Sequence, residues 1–395
     1  MIKRGIDLGG STVRLGVRPD YVIEWPAKVL EIPVDAPVKD YASDDVLADF
    51  VIRKHPMKQL ENRRFVRDDL INHYQGHILF CDNQEPKVYQ EITYINAAYA
   101  LAAEACLNFY QDQDTSLVAC IPTSEYFTEG DFVNTFKSNL TGEFEVYFPK
   151  THSEVRFTIN PGDVRVTAEG VVAVYKYGKK QEFRESVTLI VDVGHRSTDI
   201  TILKNFKPVG NTAVSRPKGG MNIAAFVKSS LERDGILLNT EEVEHMLCTR
   251  YIVVDNNLID VTDKVIKVGK DKDAVKSALF DVVSLVTTEI VDQAMNRYYV
   301  KRGTDIKDMT EYVTKAKQMF CASVKADVID VLASDMMNLT AINNVVPIGR
   351  AFSGDIESEN NMVYILMKEL GIEATVYADD NMSTANIVEI AKLLD

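Results

Sequence analysis

The sequence predicts a mixed α/β protein made of two related halves, and two observations carry that reading. The N-terminal segment Ile6-Asp7-Leu8-Gly9-Gly10-Ser11-Thr12-Val13-Arg14 returns in altered form at mid-chain as Val191-Asp192-Val193-Gly194-His195-Arg196-Ser197-Thr198-Asp199. Apolar β-formers enclose both copies, so each reads as a strand, a tight glycine turn and a second strand. After each hairpin the same order of pieces follows, a third strand, a helix, a strand and a helix, which is a repeat on the scale of a domain. A length of 395 residues suits two or three domains, and 46% hydrophobic with 26% charged residues is the composition of an ordinary globular chain.

The opening hairpin runs from Met1-Ile2 through Leu15-Gly16-Val17. From about Arg18 to Lys87 no helical period is strong, and Pro19, Pro26, Pro33, Pro37 and Pro56 mark an inserted, β-rich or irregular subdomain. Within it, Arg53-Lys54, Lys58, Arg63-Arg64 and Arg67 form a basic run, read as a charge-mixed surface helix in preference to a partner-binding patch. Ile92–Phe109 carries apolar residues at helical spacing and reads as a core helix. Leu117–Ile121 is a buried strand ending at Pro122-Thr123-Ser124-Glu125-Tyr126, followed by short strands at Glu145–Phe148, Val155–Ile159 and Val164–Thr167. Glu169-Gly170 then opens a short helix to about Tyr177.

The charged stretch Gly178–Ser186 reads as a hinge into the second half. There the hairpin recurs, with a third strand around Val209–Val214 and Pro217-Lys218-Gly219-Gly220 leading into a helix at Met221–Arg233. Thr240–Ala322 is helix-rich, with Ala274–Tyr299 its longest amphipathic stretch. Val345–Gly349 is a strand-to-loop junction, Asn360–Leu370 a helix, Ala374–Ala378 a strand and Thr384–Leu394 a last helix. The expected division is domain I over 1–184, with an insert over about 18–90 and the C-terminal helix 380–395 packed back onto it. Domain II is expected over 185–379, with a helical insert over about 235–322.

The hairpins carry the chemistry. Glycine at a tight turn leaves no side chain over the backbone N–H groups, which can then hold phosphate oxygens. An Asp just before such a turn can hold a hydrated Mg²⁺ against the same phosphates, so Asp7 and Asp192 are the candidate metal residues. Gly9, Gly10, Ser11, Thr12, Gly194, Ser197 and Thr198 would supply backbone and hydroxyl donors. Two such hairpins facing one another would clamp a nucleotide tail. No Gly-x-x-x-x-Gly-Lys-(Ser/Thr), His-Glu-x-x-His or Gly-x-Ser-x-Gly motif is present. The five cysteines are scattered without a Cys-x-x-Cys pair and read as reduced, mostly buried thiols.

The paired loops resemble those of the actin-like ATPase superfamily, and further segments resemble its bacterial ParM-like branch. These are Ile6–Val17, Val118–Phe127 with its Pro-Thr-Ser-Glu-Tyr, Val164–Gly170, and Gly219-Gly220-Met221-Asn222 before an apolar helix. The resemblance covers most of the chain, with Thr240–Ala322 weakly matched. It implies an actin-like fold of two duplicated mixed-sheet domains with a nucleotide cleft between them, each carrying an inserted subdomain. It also implies that Glu169 orients the attacking water with Asp192 as its catalytic partner, that Arg14 stands where a phosphate-contacting Lys is common, and that Gly219, Gly220 and Asn222 border the nucleoside. Gly349-Arg350-Ala351 replaces the small residues usual in the adenosine loop, leaving ATP and GTP both open. His195 and Arg196 also depart from the small residues usual there, either adding cationic contacts to the terminal phosphate or folding outward.

The function that this resemblance implies is a Mg²⁺-dependent ATP (or GTP) phosphohydrolase that polymerises head to tail and drives segregation of plasmid or other DNA. A net charge of −14 argues against direct nucleic-acid binding, which fits the ParR-like DNA-binding adaptor that the resemblance implies. The alternative is a small-molecule (sugar or acid) kinase on the same fold, with Asp163 the nearest candidate for its general base. No apolar run reaches transmembrane length and Met1-Ile2-Lys3-Arg4 enters the first strand directly, so no membrane association and a cytoplasmic location are expected.

Overall fold

Ile2–Leu8 is buried on both faces from Arg4 onward, the state of a strand in the middle of a sheet. It lies antiparallel to Thr12–Arg18 and parallel to Gln113–Ile121. The computed structural model describes residues 1–39, 45–81, 85–109, 113–128, 130–209, 212–268, 271–378 and 382–394, without the side chains of 266, 267 and 383. Residues 210–211 of the expected strand at 209–214, and residues 379–381 and 395 around the expected last helix, lie outside that set. The chain forms two compact units, Met1–Lys176 with Asn386–Asp395, and Tyr177–Ala385.

In the first unit the central strands run in the order Tyr21–Pro26, Thr12–Arg18, Ile2–Leu8, Gln113–Ile121 and Val164–Ala168. Ser153–Ile159 pairs with the start of Gln113–Ile121 and leads into a further sheet through Gly142–Phe148, Asp49–Lys54, Arg63–Val66, Val29–Ile32 and His77–Leu79. Glu91–Leu107 packs beneath, its residues from Ile92 to Glu104 all buried. Arg4 crosses to this helix and meets Glu104 through two parallel bonds, 2.9 Å from Nε and 2.7 Å from Nη2. The C-terminal helix Ala385–Lys392 supplies Ile387, Ile390 and Ala391 to a small core with Val118, Cys120 and Val172.

The basic run is a correction to the expected surface helix. Asp49–Lys54 and Arg63–Val66 are antiparallel strands, with Phe50 opposite Phe65 in the core, so cross-strand apolar pairing outweighs the helical reading of the charges. The cations are committed within the sheet. Arg64 holds buried Asp49, Arg63 bridges Glu31 and Glu91, and Arg53 reaches Glu154. Arg67 lies fully buried with its guanidinium 4.0 Å from the Tyr99 ring centre.

The second unit repeats the central order: Lys207–Pro208 and Val214–Arg216 beside Thr198–Lys204, then Val187–Val193, Asn344–Ile348 and Thr375–Val376. Hairpin partners are antiparallel and the later strands parallel in both units. Gly220–Arg233, Thr310–Ser334 and Met362–Leu370 cover this sheet with Ile223, Val227, Phe320, Val324 and Leu366 in one core. A separate cluster around Ile252, Val275, Leu279, Val291 and Met295 centres the helix-rich insert. The stretch 274–299 expected as one helix is two, Lys272–Leu279 and Thr288–Asn296, because Thr287 caps the second by accepting the Ile290 N–H at 3.3 Å. The longest helix among the described residues is Thr310–Ser334, and none of these helices is long and apolar enough to cross a membrane.

Candidate phosphate and hydrolysis site

Strand register places Asp7 at the penultimate position of the first strand, opposite Arg14, with Leu8 opposite Val13 and a four-residue turn between them. Asp192 has the same place in the second hairpin, opposite Asp199, with Val193 opposite Thr198. Both carboxylates are buried, at 6% and 8% exposure, while the turn residues Gly9, Gly10, Ser11, Gly194, His195 and Ser197 are exposed or half-buried. A Cβ on Gly9 would stand 2.6 Å from the Thr12 carbonyl oxygen, so the first turn closes only around glycine.

In the first unit, Asp7 is enclosed by groups from three strands. Arg14 Nη1 donates to Asp7 Oδ2 at 3.4 Å and Arg14 Nε to Glu24 at 3.0 Å, so this guanidinium is shared between two carboxylates. Burial works against the Arg14 charge, but Asp7 and Glu24 outweigh it and hold its pKa above the usual arginine value. Cys120, opposite Asp7 on the parallel strand, donates its thiol to Asp7 Oδ1 at 3.6 Å and lies 4.0 Å from Glu169 Oε1. Burial, then Asp7 and Glu169, push the thiol well above its usual range and keep it protonated. Glu169 follows directly on Val164–Ala168, its N–H donating to the Ile121 carbonyl at 2.8 Å.

Lys87 completes this cluster and has no counterpart among the residues singled out from sequence. Its Nζ donates to Glu169 Oε1, with both side chains largely buried. Burial opposes the ammonium, but Glu169 keeps the Lys87 pKa above its ordinary value. Burial likewise pushes the Glu169 carboxyl upward while Lys87 draws it down. Those two directions pull opposite ways for the pair, and the direct contact favours the ionised form. A lone lysine after a proline gives no sequence signal for a partner 82 positions away.

One ligand atom each from Asp7, Cys120 and Glu169 falls within 4.8 Å of the others. The carboxylates and the open glycine turn fit a hard cation held through its own water, whereas a protonated thiol is a poor ligand for Mg²⁺. Asp163 lies at the far end of the strand that leads to Glu169, roughly 20 Å away at strand rise, and its side chain is engaged by Asn160 at 3.0 Å.

In the second unit the helix Gly220–Arg233 buttresses the turn from below. The N–H groups of Gly220 and Met221 donate to the Gly194 and His195 carbonyls at 3.0 and 2.9 Å. The Gly219 N–H donates to the Asn222 side chain at 2.9 Å, and a Cβ on Gly219 would meet the Gly194 oxygen at 2.6 Å. The Thr198 hydroxyl donates to the Lys218 carbonyl at 2.7 Å. The donors of Gly219, Gly220 and Thr198 and the side-chain oxygen of Asn222 are therefore spent on shaping the turn. Gly349, at φ 108°, brings the following loop against Val193, since a Cβ there would lie 2.1 Å from the Val193 oxygen. Burial lowers the His195 imidazole, Glu244 raises it, and the nearby Arg196 and Arg350 lower it further, so the turn and the Gly349-Arg350 loop share one neighbourhood.

Two sheets of matching strand order, each opening on an Asp-x-Gly hairpin, make this an actin-like fold. Solved structures of actin-like proteins match it over nearly the whole chain. The Bacillus thuringiensis ParM with ATP covers 99% of this chain and 96% of its own at 13% identity and a TM-score of 0.62. The actin-like protein Alp7A matches at 13% identity and 0.63, with 99% and 95% covered. The archaeal actin homologue Ta0583 in complex with ADP matches at 14% identity and 0.63, with 100% and 99% covered. No protein-family model and no curated protein matches the sequence.

Proposed function

We propose that this chain is a Mg²⁺-dependent nucleoside triphosphatase of the actin-like kind that assembles into filaments. The observation that carries the reading is the cluster of buried Asp7 with the largely buried Glu169 and Lys87 beside the Gly9–Thr12 turn, on a fold shared with proteins solved with ATP and with ADP. In this reading the turns at Gly9–Thr12 and Gly194–Ser197 hold phosphate oxygens through backbone N–H groups, with hydroxyls of Ser11, Thr12 and Ser197 at hand. Asp7 and Asp192 would hold Mg²⁺ through its waters, and the ion supplies charge neutralisation at the β- and γ-phosphates. Glu169 accepts a hydrogen bond from the attacking water and aligns it, while its low exposure limits competing solvent. Arg14, held between Asp7 and Glu24, helps to fix the Asp7 carboxylate. In the same reading Gly349, Arg350 and His195 contact the nucleotide, and either ATP or GTP is accommodated.

Head-to-tail contacts between identical subunits propagate as an open helix when the rotation does not close a ring, so triphosphate binding would drive filament growth and hydrolysis would weaken it. The cargo proposed is plasmid or other DNA held through a basic, ParR-like adaptor, which a chain of net charge −14 attracts more readily than it attracts nucleic acid. The kinase reading draws no support from Asp163, which stands before the strand Val164–Ala168, at the end away from Glu169. Light scattering with pelleting, in Mg²⁺ with ATP, GTP, ADP or no nucleotide, tests assembly. Scattering that rises with one triphosphate and decays as phosphate appears supports the reading. Protein that binds and hydrolyses the triphosphate yet stays monomeric at tens of micromolar (roughly where micromolar self-affinity registers) removes the filament from it.

A further inference from the structure

Lys87 stands on the short turn Lys87–Tyr89 that leads from the inserted strands into the core helix Glu91–Leu107. Its seat is held by Glu125. The two Glu125 oxygens accept the backbone N–H groups of Lys87 and Val88 at 2.7 and 3.2 Å. On the other side of the turn the Lys87 carbonyl accepts the Thr93 hydroxyl at 2.9 Å, and the Val88 carbonyl accepts the Tyr94 hydroxyl. The segment that carries Glu125 also holds Glu169, through the Ile121 carbonyl at 2.8 Å and the Thr123 hydroxyl at 3.4 Å. One stretch, 121–125, therefore fixes both ends of the Lys87–Glu169 ion pair. Breaking the Glu125 bonds would loosen one side of the turn that carries the Lys87 side chain into the site, leaving the Thr93 and Tyr94 bonds on the other.

We propose that Lys87 is a positioning residue for Glu169, and that Glu125 sets its position, so that hydrolysis is tied to how the segment joining the inserted subdomain to the core is seated. This rests on the triphosphatase reading above. It gives the inserted subdomain a lever on the hydrolytic carboxylate: a partner or neighbouring subunit that shifts the insert shifts Lys87, and with it the angle at which Glu169 meets water.

The test uses the full chain with Mg²⁺ and the preferred triphosphate in wild type, Lys87→Met, Lys87→Arg and Glu125→Ala. Phosphate release, nucleotide affinity, thermal melting and amide exchange are read on each. Lys87→Met is expected to lower kcat about 10–100-fold with KM within about threefold, and Lys87→Arg to recover most of the loss. Glu125→Ala is expected to lower kcat about 3–10-fold and to speed exchange of the Lys87 and Val88 amides. If Lys87→Met does not fold, Glu125→Ala decides, because it leaves both members of the ion pair in place. Wild-type kcat in Lys87→Met and Glu125→Ala overturns the proposal while leaving the triphosphatase reading standing. A folded wild type that neither binds nor hydrolyses any triphosphate overturns that reading itself, and the proposal with it.

Discussion

Arg14 reaches across the opening hairpin to Asp7, Nη1 to Oδ2 at 3.4 Å, and the corresponding position of the second hairpin is not a cation but Asp199. The two halves thus repeat in backbone and differ in the residue that faces the aspartate across the hairpin, Arg14 in the first and Asp199 in the second. Removing Arg14 leaves Asp7 buried beside Cys120 without this ion pair. Arg14→Met is expected to cost about 1–3 kcal/mol of stability, read as a lower denaturation midpoint, and Arg14→Lys to cost less.

The glycines at the turns are not equivalent to those elsewhere. Gly349 combines φ 108° with a Cβ position 2.1 Å from the Val193 oxygen, whereas Gly371 has φ 65° with open space around it. Gly371→Ala is expected to cost about 1 kcal/mol and Gly349→Ala about 2–4 kcal/mol, with nucleotide affinity lost only in the second. Equal melting shifts for the two would contradict the crowding argument.

Thiol labelling separates the cysteines. Cys248 is exposed, while Cys120 and Cys321 are buried, and burial pushes the Cys321 thiol up to about 12. Brief treatment with iodoacetamide at pH 8 is expected to modify Cys248 first and to reach Cys120 and Cys321 only on unfolding, as read by peptide mass spectrometry. Rapid labelling of Cys120 in folded protein would mean that the site opens far more than described.

His55 makes stability pH-dependent. It is 1% exposed, accepts the Met57 N–H on Nδ1 at 2.9 Å and packs on Phe144, and burial lowers its pKa to about 4. With the folded value below the ordinary 6.5, the unfolded chain binds the extra proton between pH 6.5 and about 4. Stability from this group is therefore complete above pH 6.5 and falls as the pH drops through that window, by up to about 3 kcal/mol. Urea titrations from pH 7 to 4 should lose this slope in His55→Asn, compared at equal ionic strength.

Much of the fold was legible because its strongest signals are local. Asp-x-Gly between alternating apolar residues specifies a hairpin wherever it occurs, and the helix expected over Ile92–Phe109 is found at Glu91–Leu107. The basic run misled because arginine and lysine carry little periodicity of their own, and only the Phe50–Phe65 pairing decides for strands. The stretch 274–299 misled because its valines continue an apolar pattern across the Thr287 cap. At the site, Asp7 and Glu169 were visible as residue types in context, and the structure brings them together with Cys120. Lys87 was not visible, since its role depends on a contact across 82 positions. Glu125 stood in a segment already noted, but its purpose there is to accept two backbone N–H groups, which no side-chain pattern announces.

The central claim is that the Asp7–Glu169–Lys87 cluster serves triphosphate hydrolysis. Phosphate release and nucleotide affinity, measured together in Mg²⁺ on wild type and Glu169→Gln, test it most directly. The account predicts that wild type binds and hydrolyses a nucleoside triphosphate, and that Glu169→Gln binds it within about threefold while hydrolysing at least about 100-fold more slowly. Glu169→Gln that hydrolyses like wild type, or a folded wild type with no triphosphate affinity, would contradict it.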